Sequence, residues 1–370
     1  MANQNIRTPR FYTDLINYHK ARGASIGTIT ATDASSGFIG LPATNTVDDV
    51  LDLRPLNQVT FDTSSDPDGH VLFNANFTTD QYKQSYVAIL NHNLASSKGK
   101  IRLFAGNENT DHQTIDGAAI DITDPDTDAE WSNITTTEII NADNINVASG
   151  NRSVVIEPNS DGTTIIQFDE QDLRFWAVQF EGSQTSGGDV NQGAGGTNLW
   201  DSSTDFRLGG IMIGEHFDMP QSPDLNLTRR IVYDKVNINE SIGGQRYGTS
   251  TSFGRTASST SKSPFALGTY GQTVYGGRIA YDMNFSYLAA SNLLPSETTK
   301  YQYSDDTVVS DVWNMTDGPH RPFIFCIDNT STGSNAESEY MFARFAQNSL
   351  DMQQVAPDVY NVGMRIEEEF

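Results

Sequence analysis

The sequence predicts an all-β protein: an antiparallel jelly-roll β-sandwich, then a second, smaller β domain, with an N-terminal arm in front. Three observations carry this. Short apolar runs rich in β-branched and aromatic residues recur along the chain, separated by clusters of Gly, Asn, Asp, Ser and Thr. Segments of helical period do not alternate with them, which excludes a parallel α/β fold. At 370 residues the chain is longer than one core usually fills. The organising stretch is 85–106, SYVAILNHNLASSKGKIRLFAG, whose apolar runs 86–90 and 101–105 flank a polar turn and read as the central pair of the sandwich.

In chain order, residues 1–34 begin polar and then place Phe11, Tyr12, Leu15, Ile16 and Tyr18 on one face of a short helical turn stopped by Gly23 and Gly27. Too short for a domain, this segment reads either as an arm that docks on its own domain or on a neighbouring subunit, or as a frayed terminus with a packed aromatic pair. Residues 35–219 form the predicted sandwich, with strands over 59–61, 71–77, 86–90, 101–105, 153–156, 163–168, 173–180 and 207–213. Asp66-Pro67-Asp68-Gly69 and Ser160-Asp161-Gly162 are turns in which proline sets φ and glycine takes positive φ. Two long excursions, 107–150 and 182–204, read as surface loops.

Pro220 and Pro223 mark a boundary, because prolines at this spacing cannot continue a central strand. The second domain, 220–370, resumes with strands over 230–238, 278–288, 322–327, 340–345, 350–355 and 359–366. In RIAYDMNFSYL the side chains of Ile279, Tyr281, Met283, Phe285 and Tyr287 share one face, the pattern of a half-buried strand. Pro357-Asp358 supplies a tight turn that pairs the last two strands. The Ser/Thr/Gly-rich insertion 247–277 has little to bury and reads as an exposed hairpin extension.

A net charge of −24, spread along the chain, disfavours nucleic acid as a partner, because no basic patch stands ready for phosphates. Neither an apolar leader core in the first thirty residues nor a bilayer-length apolar run is present, so the expectation is a soluble chain without membrane insertion. The single cysteine, Cys326, lies in the apolar run FIFCID and reads as a buried inert thiol. The acidic run 121–130 has oxygen ligands two residues apart but lacks the glycine and glutamate an EF-hand needs; a weak surface Ca²⁺ site or a solvated acidic turn remains. No histidine has zinc-ligand spacing, no nucleotide-binding glycine fingerprint is present, and no catalytic residue or cofactor is assigned. His92 reads first as a turn histidine bonding the backbone; with Trp131 and Trp200 it is also a candidate ligand-loop residue, though core or interface plugs suit the tryptophans better.

YVAILNHNLASSKGKIRLFAG together with FRLGGIMIGEHFDMP resembles the discoidin-type, galactose-binding-like jelly roll of structural proteins in tailed bacteriophages. RIAYDMNFSYL, RPFIFCID and FARFAQNSLDMQQVAPDVYNVGMRIEEEF resemble tail-tip proteins of the distal-tail and baseplate kind. The resemblance implies a non-enzymatic structural subunit of the virion, made in the host cytoplasm, that closes into a ring with copies of itself and meets neighbouring tail proteins. On that reading the arm, through Phe11, Tyr12, Leu15, Ile16 and Tyr18, holds neighbours together. The alternatives are a carbohydrate- or host-receptor-binding module using the same jelly roll, which would contact a surface glycan, and a capsid decoration protein.

Overall fold

A computed structural model describes residues 7–29, 38–77, 83–106, 136–140, 153–186, 197–232, 236–250, 278–294, 307–330 and 339–369. The acidic run 121–130, Trp131 and residues 251–277 of the insertion lie outside these. The fold is all-β, with several antiparallel sheets and a few short helices. The chain divides into two compact units, one built on residues 12–216 and the other on residues 217–330 and 339–370 together with the first eleven.

In the N-terminal unit a five-stranded sheet runs in the order Thr28–Ile29, Val71–Asn76, Phe175–Gly182, Gly99–Gly106, Ser153–Ile156. A four-stranded sheet runs Gly210–Gly214, Gln84–His92, Gly162–Gln171, Thr136–Ile140. From Val71 to Gly182 successive strands alternate between the two sheets, the crossing connectivity of a sandwich. The two runs of the 85–106 stretch are therefore interior strands of opposite sheets, linked by the short Leu94–Ser97 helix, and do not pair with each other. The sheets meet through rings such as Phe168 and Trp176, stacked at 5.2 Å. The predicted strand 207–213 is two strands, Phe206–Leu208 and Gly210–Gly214, in different sheets.

The N-terminal segment is core. Asp14 caps the Leu15–Lys20 helix by accepting from the amides of Ile16 and Asn17, each at 3.1 Å. Tyr12 packs edge-on against Tyr86 at 5.0 Å, and the Tyr86 hydroxyl donates to the Thr13 carbonyl at 2.8 Å. The Thr13 carbonyl also lies where a side chain at position 214 would begin, 1.9 Å from an ideal Cβ, so Gly214 is needed for the two backbones to approach. Phe11, Tyr12, Leu15, Ile16 and Tyr18 are all 0–1 % exposed, Phe11 in the C-terminal unit and the other four in the N-terminal one. This corrects the expectation that their face holds neighbouring subunits, because the chain's own cores already bury it.

In the C-terminal unit the sheet order is His216–Asp218, Arg10–Tyr12, Phe323–Cys326, Tyr340–Phe345, Val359–Glu368, Arg278–Ala289, Thr228–Val232, and Met352–Ala356 also pairs with Val359–Glu368. The first residues of the chain thus supply an interior strand to a sheet made largely from its last third. The Phe11 ring lies 5.6, 5.3 and 6.3 Å from those of Phe323, Phe325 and Phe345. Beside it, Arg10 forks onto Asp218 with bonds of 2.5 and 2.7 Å. The final two strands form the hairpin predicted at Pro357-Asp358, with Asp358 at φ 57°. In Arg278–Ala289 the predicted alternation holds from Tyr281 to Phe285, while before it Ile279 is half-buried and Ala280 buried; a bulge then leaves Tyr287 exposed at φ 63° and turns Leu288 inward. Cys326 is buried, and burial pushes its thiol up to about 12.

Truncating Phe11 removes one ring from a four-ring cluster that cannot collapse without moving strands. Phe11→Ala is expected to cost about 3–5 kcal/mol, read by denaturant unfolding followed at the C-terminal unit. A loss of only a few tenths would contradict the placement of this residue in that core.

Candidate assembly surface

Of the residues singled out in the sequence as ligand-loop candidates, the two that are described, His92 and Trp200, are both buried. His92 is 1 % exposed; its Nε2 lies 2.8 Å from the Thr164 hydroxyl, and its Nδ1 accepts from the Leu94 amide at 3.2 Å. It ties the end of one strand to a neighbouring strand and to the helix that follows, a structural role. Trp200 is also buried, donating from its indole to the Gly69 carbonyl at 2.7 Å and stacking on Phe206 at 5.2 Å. Its ring crosses above Gly99, where an ideal Cβ would sit 2.3 Å from Cζ3, so it offers no exposed platform for a sugar. Trp313 belongs to the Val309–Met315 helix and packs on Phe345 at 5.0 Å.

The N-terminal unit holds a buried ionic group on its five-stranded sheet. The fully buried Glu181 accepts from Arg102 at 2.9 and 3.2 Å and from Gln179 at 3.3 Å, and lies 3.3 Å from the Lys100 ammonium. Burial raises the Glu181 carboxyl, but Arg102, Lys100 and His70 outweigh it and leave it below its ordinary value. The three charged residues occupy one face at neighbouring register positions, Arg102 opposite Gln179 and Lys100 opposite Glu181. Removing one partner would strand a charge, so this group fixes register. Among the described residues, no group of three or more His, Cys, Asp or Glu is placed to hold a metal. No described helix is long and apolar enough to cross a membrane.

The C-terminal unit presents two surface features. One is a groove of about 450 Å³ lined by Asp282, Asn284, Gln347, Ser349, Asp351 and Arg365 among others, with no aromatic ring in its wall. The other is apolar. The eight large hydrophobic residues left exposed among those described are Leu225, Ile231, Ile238, Ile242, Tyr247, Tyr287, Leu294 and Val355, and every one lies in this unit. Five of them fall between positions 225 and 247.

That span contains an edge strand and a ribbon. Thr228–Val232 is the last strand in the sheet order, paired on one side with Arg278–Ala289. Arg230 reaches Asp282, which also accepts from Arg365 at 2.8 Å, while Arg229 lies 6.0 Å from the centre of the Tyr281 ring. Among the described residues, Val236–Glu240 and Arg246–Ser250 then pair only with each other, around a turn at Ser241–Gln245 in which Gly244 takes φ +80°. All residues from 237 to 248 are exposed, on both faces of the ribbon. Glu240 and Arg246 are joined at 3.2 Å, and Ile238 stands opposite Gly248, around which an added Cβ would meet nothing within 4 Å. A two-stranded ribbon with both faces in water is marginally stable alone, and open edges bearing apolar side chains are what monomeric β proteins avoid.

The predicted 230–238 strand merges these two elements, and the ribbon begins before the 247–277 insertion to which the exposed hairpin was assigned. The signal that would have located it is Ile-Gly-Gly-Gln between two β-rich runs. No protein-family model, no curated protein and no solved structure matches the chain.

Burial also sets a pH dependence. It lowers the His92 ring from 6.5 to about 3, and burial followed by the nearby Arg22 lowers His19 to about 4. Both are neutral when folded and regain an ordinary imidazole on unfolding. Stability is therefore full above pH 6.5 and is lost as pH falls towards these values, at up to about 1.4 kcal/mol per pH unit for each ring. His92→Gln should flatten the fall in unfolding free energy between about pH 6 and 4, measured in denaturant at stepped pH. An unchanged slope would show that this ring does not resist protonation in the folded chain.

Proposed function

We propose that this chain is a non-enzymatic structural subunit of a tailed-phage virion, assembling with copies of itself and with neighbouring tail proteins at the tail tip or baseplate. One observation carries the reading: the exposed large apolar side chains described all fall in one unit, concentrated on a sheet edge and a free-standing ribbon. Such a surface is stabilised by association with other protein, since clustered apolar exposure marks interaction sites. The resemblance to distal-tail and baseplate proteins supplies the kind of assembly. The assembling elements on this reading are those of the C-terminal unit, the N-terminal aromatic face being already buried.

A second reading, a carbohydrate- or host-receptor-binding module, draws on the polar groove between Asp282 and Asp351, whose amides and carboxylates suit hydroxyl groups. It is weakened by the burial of Trp200, which removes one stacking surface. Negative-stain microscopy and light scattering of the purified full chain test the choice. The assembly reading predicts rings or other oligomers of defined size. A persistent monomer that binds glycans through the groove would replace it with the second reading.

A further inference from the structure

The groove of the C-terminal unit has a floor that packing does not explain. Gly363 lies within Val359–Glu368, opposite Asn284, and its φ is not positive, so no left-handed backbone calls for glycine there. Nor does crowding: an added Cβ would meet a single atom within 4 Å, the Oδ1 of the exposed Asn284 side chain at 3.3 Å. A glycine inside a strand weakens it and often marks where a ligand comes close to the backbone.

Around this floor some groups are engaged and others are not. The Gln347 amide donates to the carbonyls of Ser349 and Gly363 at 2.9 and 3.1 Å and accepts from the Arg365 amide at 2.9 Å, which holds the wall to the floor. Asp282 accepts from Arg230 and Arg365. The side chains of Asn284, Ser349 and Asp351 have no hydrogen-bond partner among the described residues. The bulge adds a ring on the same side of the sheet. Phe285 and Leu288 are both buried, so Ser286 and Tyr287 between them are carried outward, as Asn284 is. Tyr287 is 77 % exposed at φ 63°, a costly backbone for a bulky residue, and its amide donates to the Asn361 Oδ1 at 3.1 Å. Asn361 is two residues, roughly 7 Å, from Gly363 along the strand, which sets Tyr287 just beyond one end of the groove.

We propose that this groove binds a neutral carbohydrate: Asn284, Ser349 and Asp351 bond its hydroxyl groups, Gly363 lets a sugar ring lie close to the strand, and Tyr287 stacks on the next sugar unit. This rests on the groove of the second reading above, adds its contacting residues and ligand class, and holds for an assembled or a monomeric chain. A sugar presents hydroxyl donors and acceptors around its edge and C–H groups on its faces, which match polar side chains beside an aromatic ring. The volume of about 450 Å³ lies in the range of small-molecule sites, about 300–1,000 Å³. Asp282 and Asp351 stand against Arg230 and Arg365, so the surroundings favour neither an anion nor a cation. An apolar ligand would leave the amide, hydroxyl and carboxylate unpaired.

The test is saturation-transfer NMR of the full-length chain with methyl glucoside, methyl galactoside, N-acetylglucosamine, maltose, lactose and chitobiose, and with glucuronic acid as an anionic probe. Gly363→Val should weaken binding of the neutral sugars about tenfold or more by filling the floor, while denaturant unfolding shows equal or higher stability, since valine suits a strand. Asn284→Ala and Tyr287→Ala, both at exposed positions, should each weaken it about threefold or more, and affinity should be unchanged between about 0.05 and 0.5 M NaCl. Neutral-sugar binding that all three variants retain would overturn this site while leaving glycan binding elsewhere on the chain in place. No binding of any neutral probe at millimolar concentration would overturn both. Binding of glucuronic acid alone, weakened by salt, would assign the groove to anions instead.

Discussion

An open β-sheet must end somewhere, and at each end a row of backbone N–H and C=O groups needs water, a cover or another strand. In the C-terminal unit the outermost strand in the sheet order at one end is Thr228–Val232, exposed along most of its length. Among the described residues it is followed by a ribbon whose two strands pair with each other. Among the described residues, each of the large hydrophobic residues left in water lies in the C-terminal unit.

The position of the chain's first residues follows from the same requirement. Arg10–Tyr12 enters the sheet beside Phe323–Cys326, and Phe11 joins Phe323, Phe325 and Phe345 in one aromatic cluster. The C-terminal unit therefore depends on residues made more than 200 positions earlier, and its folding carries the loop-closure entropy of so distant a contact. Such an arrangement does not suit a detachable arm, since lifting the segment away would expose the core.

What was legible in the sequence is what local pattern determines. The alternation of Ile279, Tyr281, Met283 and Phe285 placed a half-buried strand, and Pro357-Asp358 placed the last hairpin. Alternation says nothing of register defects, so the bulge that turns Tyr287 out and Leu288 in was hidden. Partner choice is non-local as well: the runs on either side of the Leu94–Ser97 helix look like a hairpin, yet each pairs with strands from beyond residue 150. The apolar face of Phe11, Tyr12, Leu15, Ile16 and Tyr18 was visible, but only packing shows that its partner is the chain itself. For Trp200, a Gly-rich surrounding sequence suggested a loop, whereas Gly99 and Gly182 clear the space in which the segment is buried. The exposed apolar ribbon was the least legible part, because Ile238, Ile242 and Tyr247 read in sequence like any other strand residues.

The central claim is that the ribbon is covered in the assembled state, and hydrogen exchange tests it most directly. Amide exchange across residues 236–250 is compared in dilute and concentrated full-length chain, with strands of the N-terminal sandwich as an internal reference. The account predicts rapid exchange in the dilute chain and marked protection of the ribbon and of Thr228–Val232 on concentration, the sandwich being unchanged. Ribbon amides that exchange equally fast in an assembled sample would contradict it.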